Sequence, residues 1–339
     1  MRFLPTAEQR DFARSLDAML TAARPPAAIR AWAAGDPGPG RALWARLGEA
    51  GMFALAAPEA FEGVGPLPVE LAHAVLEAGR HAVPGPLVET VAVTALLAEL
   101  ADRGETAPAK RFLPGLAAGT TVATLALADA SPYALDADAA DLVFAVEGEE
   151  LRLAPGHGEV RVSADPVRRL ARPAPGGELL AAGPAVTAAA RTARRWALLA
   201  TAAQALGVGL ALLDRTVAYA GQRTQFGTPI GSFQAVKHRL ADTLIGLEFA
   251  RPLLFGAAVT FTEADLAAAK VTAGEAAHAA AATALQVHGA VGYTEELDLS
   301  LWLRKARPLR DAWGGPSWCR ARVLTSRQEP GGPDGHPQG

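Results

Sequence analysis

From residue 185 to residue 288 the chain reads as three long helical runs, over about 186–220, 233–262 and 263–288, with a Gly/Pro-bearing break between the first two. Helices of this length persist in water by burying an apolar stripe against a neighbour. The run 264–284 is rich in alanine, and small side chains let helices approach closely as antiparallel pairs. A C-terminal helical bundle is therefore expected, closed by a shorter helix over about 299–307. Residues 196–213 are apolar enough to raise the question of a membrane span, but they include Thr201, Gln204, Gly207 and Gly209 and are otherwise mostly alanine. A spanning helix needs ~20 strongly apolar residues, so a buried bundle helix is the expectation and no membrane partner is inferred.

The N-terminal part also reads as helical. Thr6 and Gln9 form a capping box ahead of Phe12, Leu16, Met19 and Leu20, which share one helical face. Pro25-Pro26 should end that helix, and further helices are expected over 41–51, 69–79 and 86–100. Near Thr120 the texture changes to short apolar runs at 122–128, 142–146, 151–153 and 160–162, separated by Gly, Pro and Asp, as small strands are. The expected fold class is thus mainly α with a small β middle domain. Its parts are an N-terminal α-helical domain over 1–117, a reduced β-domain over 118–184, a C-terminal four-helix bundle over 185–328 and a disordered tail over 329–339.

A net charge of -3 with 20% charged residues excludes the strongly basic surface that nucleic acid requires. The single cysteine, Cys319, cannot form an internal disulfide, and no Cys/His spacing suggests a metal site. With no apolar signal-peptide core after Met1-Arg2-Phe3, a cytoplasmic location is expected.

Two segments carry chemistry. In Arg223-Thr224-Gln225-Phe226-Gly227-Thr228-Pro229, a loop between helices, Arg223 offers a planar charged fork suited to a pyrophosphate and Phe226 an aromatic face suited to an adenine. In Gln286-Val287-His288-Gly289-Ala290-Val291-Gly292-Tyr293-Thr294, glycines just past the Ala-rich helix let backbone amides come close to phosphate oxygens. Residues 214–242 as a whole resemble the signature of the acyl-CoA dehydrogenase family, as does the second segment, and looser likeness continues through Leu43-Trp44, Pro58-Glu59 and Gly79-Arg80. The resemblance spans about residues 3–318.

It implies FAD as cofactor, an acyl-CoA substrate and electron-transferring flavoprotein as acceptor. It also implies that Arg223, Gln225, Phe226 and Gln234, together with Gln286, His288 and Gly289, contact the ADP half of a flavin bound mainly by a neighbouring subunit. Ala290 departs from the family's second glycine.

The same resemblance exposes two losses. Registering the helix that holds Arg304-Lys305-Ala306 places Trp313, one residue either way, where the family carries the carboxylate that removes the α-proton. The alternative base position on the long preceding helix falls near Ala197, and Asp311 is the nearest acid that could substitute. The loop and strand that cradle the flavin ring look deleted around 125–144.

The chain therefore resembles the small base-less subunit of actinobacterial heteromeric acyl-CoA dehydrogenases of steroid side chains, partnered by a catalytic subunit in an α2β2-type assembly. Two alternatives stand beside this: an independent homodimeric enzyme with an atypical base, and a flavin-free structural or regulatory homologue. Among single residues, Trp302, Trp313 and Trp318 read as packing anchors, His238 as a structural or interface group, Cys319 as inert, and Arg168-Arg169 and Arg194-Arg195 as solvated faces.

Overall fold

The computed structural model describes residues 5–328, so the tail expected over 329–339 lies outside the described residues. Helix α1 (Ala7–Ala23) opens with the Thr6/Gln9 capping box and stops short of Pro25. Pro26 does more than end it. A proline at the first helical position loses no hydrogen bond, and Pro26 starts α2 (Pro26–Ala33), which sequence reasoning did not anticipate. Helices α3 (Gly38–Glu49), α4 (Pro68–Arg80) and α5 (Leu87–Asp102) follow, and then the likewise unanticipated α6 (Thr106–Ala117), which carries Pro114 within it.

The middle of the chain forms two small sheets. Strands β1 (Ala123–Leu127), β3 (Leu142–Glu147), β4 (Glu150–Leu153) and β7 (Glu178–Ala182) make a sheet in the order β1-β3-β4-β7. Strands β2 (Ala134–Leu135), β6 (Arg169–Ala171) and β5 (Arg161–Val162) make a second in the order β2-β6-β5. Strands β2 and β6 are too short to show in an apolar pattern, and β7, with sequence Glu-Leu-Leu-Ala-Ala, was not anticipated. Strand β1 pairs directly and in parallel with β3, from Ala123 opposite Leu142 to Leu127 opposite Val146.

From Pro184 the chain is helical: α7 (Pro184–Gln222), α8 (Gln234–Thr260), α9 (Glu263–His288), α10 (Leu299–Asp311) and α11 (Pro316–Gln328). A two-stranded hairpin of β8 (Thr224–Gln225) and β9 (Thr228–Pro229) joins α7 to α8, and α11 extends the chain beyond the last helix expected. The apolar window of α7 is wholly buried inside the protein, whereas only a third of that of α8 is. Helix α7 also packs against α4 and α5, and here glycine is required. A β-carbon on Gly207 would lie 2.0 Å from the Leu76 carbonyl oxygen, and one on Gly79 2.4 Å from that of Gln204, so the two backbones touch.

One hydrophobic core runs through all three parts of the chain. Helix α5 sits inside it with Leu87 to Leu97 buried on every face, and Thr90 Oγ1 donates to the Ala123 carbonyl at 2.6 Å, tying α5 to β1. One expectation is corrected at the α/β junction. Arg169 is not a solvated residue: it is 5% exposed, donates to the Trp32 carbonyl and pairs with Asp138 at 3.0 Å. Arg194 likewise lies over the Trp318 ring, 5.3 Å from its centroid.

Candidate functional site

The break between α7 and α8 is a tight hairpin whose two central residues, Phe226 (φ 54°) and Gly227 (φ 76°), are both left-handed. This is the turn geometry that matches the twist of paired strands, and it is costly for an aromatic residue. The turn holds Phe226 at its tip, 93% exposed. Arg223 and Gln225 are exposed beside it, and the Arg223 carbonyl accepts from the Ile230 amide at 2.8 Å, closing the hairpin base. Among the described residues Arg223 has no carboxylate at ion-pair distance, so its guanidinium is free to meet an anion.

The second segment lies at the same end of the bundle. Helix α9 ends at His288, Gly289 turns the chain at φ 64°, and a short 3-10 turn follows over Gly289–Tyr293. The imidazole of His288 stacks on the Tyr219 ring at 4.1 Å between centroids, joining the end of α9 to the end of α7 just before the hairpin. Its Nδ1 donates to the Ala284 carbonyl at 2.8 Å, and burial lowers its pKa, which keeps the ring neutral. His288 therefore faces inward and offers a passing ligand only its backbone. Gln234, Gln286 and Gly289 are exposed. No atom lies within 4 Å of where a β-carbon on Gly227 or Gly289 would sit. This open, cation-bearing surface suits a diphosphate and adenine presented from outside the chain, and it has no walls of its own to enclose them.

The place where the flavin ring would be met is built differently. Trp313 (φ 58°) sits in the loop between α10 and α11, and its indole N–H donates to Glu89 Oε1 at 3.1 Å. Lys270, buried on α9, anchors that loop by donating to the Arg310 carbonyl and to the Gly314 carbonyl, the latter at 2.8 Å. A cavity of about 70 Å³ remains between Trp313, Glu89, Arg168 and the leucines of β1. That is space for about five waters, at roughly 10–15 Å³ of such volume each, and is too little for three fused rings. The residues present thus suit the ADP half of a dinucleotide flavin and do not suit its isoalloxazine. Asp311 is exposed at the end of α10, and Ala197 is 0% exposed inside the bundle.

Comparison with known proteins decides the family. Residues 6–120 match the description "Acyl-CoA dehydrogenase, N-terminal domain" and residues 187–327 match "Acyl-CoA dehydrogenase, C-terminal domain". Acyl-CoA dehydrogenase IpdE2 of Mycobacterium tuberculosis is 36% identical over 303 residues, covering 88% of this chain and 91% of that protein. The chain belongs to the acyl-CoA dehydrogenase family.

Among other members, IpdE2 of Mycolicibacterium smegmatis is 33% identical, with 91% of this chain and 96% of that protein covered. In three dimensions the chain is similar to a chain of the Tcur3481-Tcur3483 steroid ACAD, G363A variant. That match has a TM-score of 0.80 and 25% identity, covering 95% of this chain and 98% of the other. The fold is also that of a chain of the ChsE4-ChsE5 complex from Mycobacterium tuberculosis, with TM-score 0.79, 24% identity and coverage of 98% and 100%. Acyl-CoA dehydrogenases are oxidoreductases with FAD as cofactor.

Sequence reasoning missed two residues of this region. Glu89 is the one acid in the apolar run 87–93, and an acid in a helix that is apolar all round is destined for burial. Tyr219 gave no signal, because its stacking on His288 joins residues far apart in the chain.

Proposed function

We propose that this chain is the base-less subunit of a heteromeric FAD-dependent acyl-CoA dehydrogenase, completing the ADP end of a flavin whose ring and proton acceptor belong to a partner subunit. The observation that carries this reading is the pairing of the exposed Arg223/Phe226 hairpin with a tryptophan, hydrogen-bonded to Glu89, at the base position. Bound FAD would accept a hydride from the substrate Cβ while a partner carboxylate takes the Cα proton. Arg223 and Gln225 would hold the diphosphate, Phe226 would lie against the adenine, and Gln234, Gln286 and the Gly289 backbone would line the same end. Likeness to members of named two-component assemblies supports a heteromer.

An apolar stripe supports it too. Ile245, Phe249 and Leu253 are spaced four residues apart on α8 and are 51%, 70% and 45% exposed, a face that a neighbouring chain would cover. An acyl-CoA, with a steroid-derived CoA thioester as the favoured class, electron-transferring flavoprotein as acceptor, and a cytoplasmic location complete the proposal.

The test is production alone and together with the partner subunit. Alone, the chain is expected to carry little flavin and to show no α,β-dehydrogenation. Together, one FAD per pair of unlike chains is expected, with activity. Stoichiometric flavin and full turnover from this chain alone would reject the reading.

A further inference from the structure

Where α1 packs against α4, three side chains that can ligate a metal converge. Asp17 comes from α1, Glu77 from the last turn of α4, and His81 is the residue that caps α4. Residues four apart stand on one face of a helix, and the His81 amide donates to the Glu77 carbonyl at 3.1 Å, so helical geometry carries through to His81. Asp17 meets His81 across 64 positions of the chain, and no spacing in the sequence announces the trio. One imidazole nitrogen and one oxygen from each carboxylate all lie within 4.8 Å of one another. We propose that Asp17, Glu77 and His81 form a site for one divalent transition-metal ion, with Zn²⁺ the best match, that clips α1 to α4.

Charge favours a cation here. The Glu77 side chain is mostly buried, yet its carboxylate accepts no hydrogen bond among the described residues. The two nearby cations are each engaged by another acid. Arg80, whose Nε stands 3.5 Å from Glu77 Oε2, pairs with Asp214 of α7 at 2.9 Å, and Arg251 of α8 pairs with Glu248 at 3.1 Å. Two carboxylates with a neutral imidazole, the form in which histidine binds metal, balance the charge of one divalent ion.

The spacing fits as well. His81 Nε2 and Asp17 Oδ1 are 2.7 Å apart and share a proton. A tetrahedral ion with bonds of about 2.0–2.2 Å holds neighbouring donors about 3.4 Å apart, so the metal takes that proton's place as the pair opens by about 0.7 Å. Asp17 is half exposed and gives the ion a way in from solvent. An imidazole with two carboxylates suits Zn²⁺ better than Mg²⁺ or Ca²⁺, which favour all-oxygen shells. Three protein donors leave a fourth position to water. The site shares no residue with the flavin-facing surface, so it stands or falls apart from the function proposed above.

The test uses the full untagged chain, stripped with a chelator and titrated with ZnCl2 by isothermal calorimetry. One Zn²⁺ per chain is expected. Asp17→Asn and His81→Gln should each weaken binding by about tenfold or more, a loss that even a group behind a metal ligand produces when removed. His157→Ala, which removes an exposed histidine of the β-domain, should bind zinc as the wild type does. Because the ion joins two helices only in the folded chain, zinc should raise the midpoint of thermal unfolding of the wild type and not of the two site variants. Anomalous scattering at the zinc edge should place the ion among the three side chains. Absence of binding, equal affinity in Asp17→Asn and the wild type, displacement of zinc by excess Mg²⁺, or an anomalous peak elsewhere would overturn the proposal. Asp17→Asn changes a half-exposed residue and keeps the test decisive should His81→Gln fail to fold.

Discussion

Asp136 shows how single buried residues shape this protein. Its backbone is left-handed (φ 50°), its Oδ1 accepts the Arg169 amide at 2.9 Å, and its Oδ2 is buried without a partner. Burial raises its pKa from 3.8 to about 7, against the pull of the Arg169 amide and guanidinium. An acid whose folded pKa exceeds its unfolded one binds protons more tightly when folded. Its contribution is fully present below the unfolded value and is lost as the pH rises through the folded value. Unfolding free energy from urea titrations should therefore fall between about pH 4 and pH 7. Asn tolerates a left-handed backbone, so Asp136→Asn should fold and should flatten part of that fall. Glu77, which burial also raises to about 7, and Glu89, which burial pushes up as well, contribute to the rest. The exposed Asp311 is a contrast: with no place in the cavity, Asp311→Asn should leave turnover of the assembled enzyme unchanged, and loss of activity would revive an independent catalytic role.

At the scale of elements, two helices decide most of the architecture. Helices α4 and α7 cross with backbones in contact at Gly79 and Gly207, so Gly207→Ala should destabilise by about 1–3 kcal/mol through overpacking, outweighing the ~1 kcal/mol of helix propensity that alanine adds. Urea unfolding reads the difference. The hairpin between α7 and α8 is the opposite kind of element, exposed to solvent with Phe226 at its tip. Arg223→Ala should lower the FAD content of the assembled complex without changing the midpoint of thermal unfolding of this chain alone. Unchanged flavin content would favour a scaffold over a cofactor-sharing subunit.

The long helices were legible because alanine-rich and apolar runs persist over many turns. Helices α2, α6 and α11 were not, because prolines at or near their starts, or within α6, read as breaks. Strand β2, two residues long, and the three-residue β6 are held by the sheet they join and are too short to show a pattern.

At the scale of the whole molecule, the exposed apolar face of α8 is what the proposed assembly would cover. Phe249→Glu, placing a charge at 70% exposure in the centre of the stripe, should leave this chain folded and split its assembly. Size-exclusion chromatography with light scattering separates a split assembly from an intact one.

The sequence by itself determined the family, the helical bundle with its small β insert, the segments suited to an ADP moiety and the absence of an acid at position 313, because each is written in contiguous residues. Only the tertiary structure decided that the His288 ring turns inward against Tyr219, that Arg169 is buried against Trp32, and that Glu89 meets Trp313 across 224 positions of the chain. Those outcomes depend on which helices and strands come to lie side by side, and burial is what gives a lone acid or ring its chemistry.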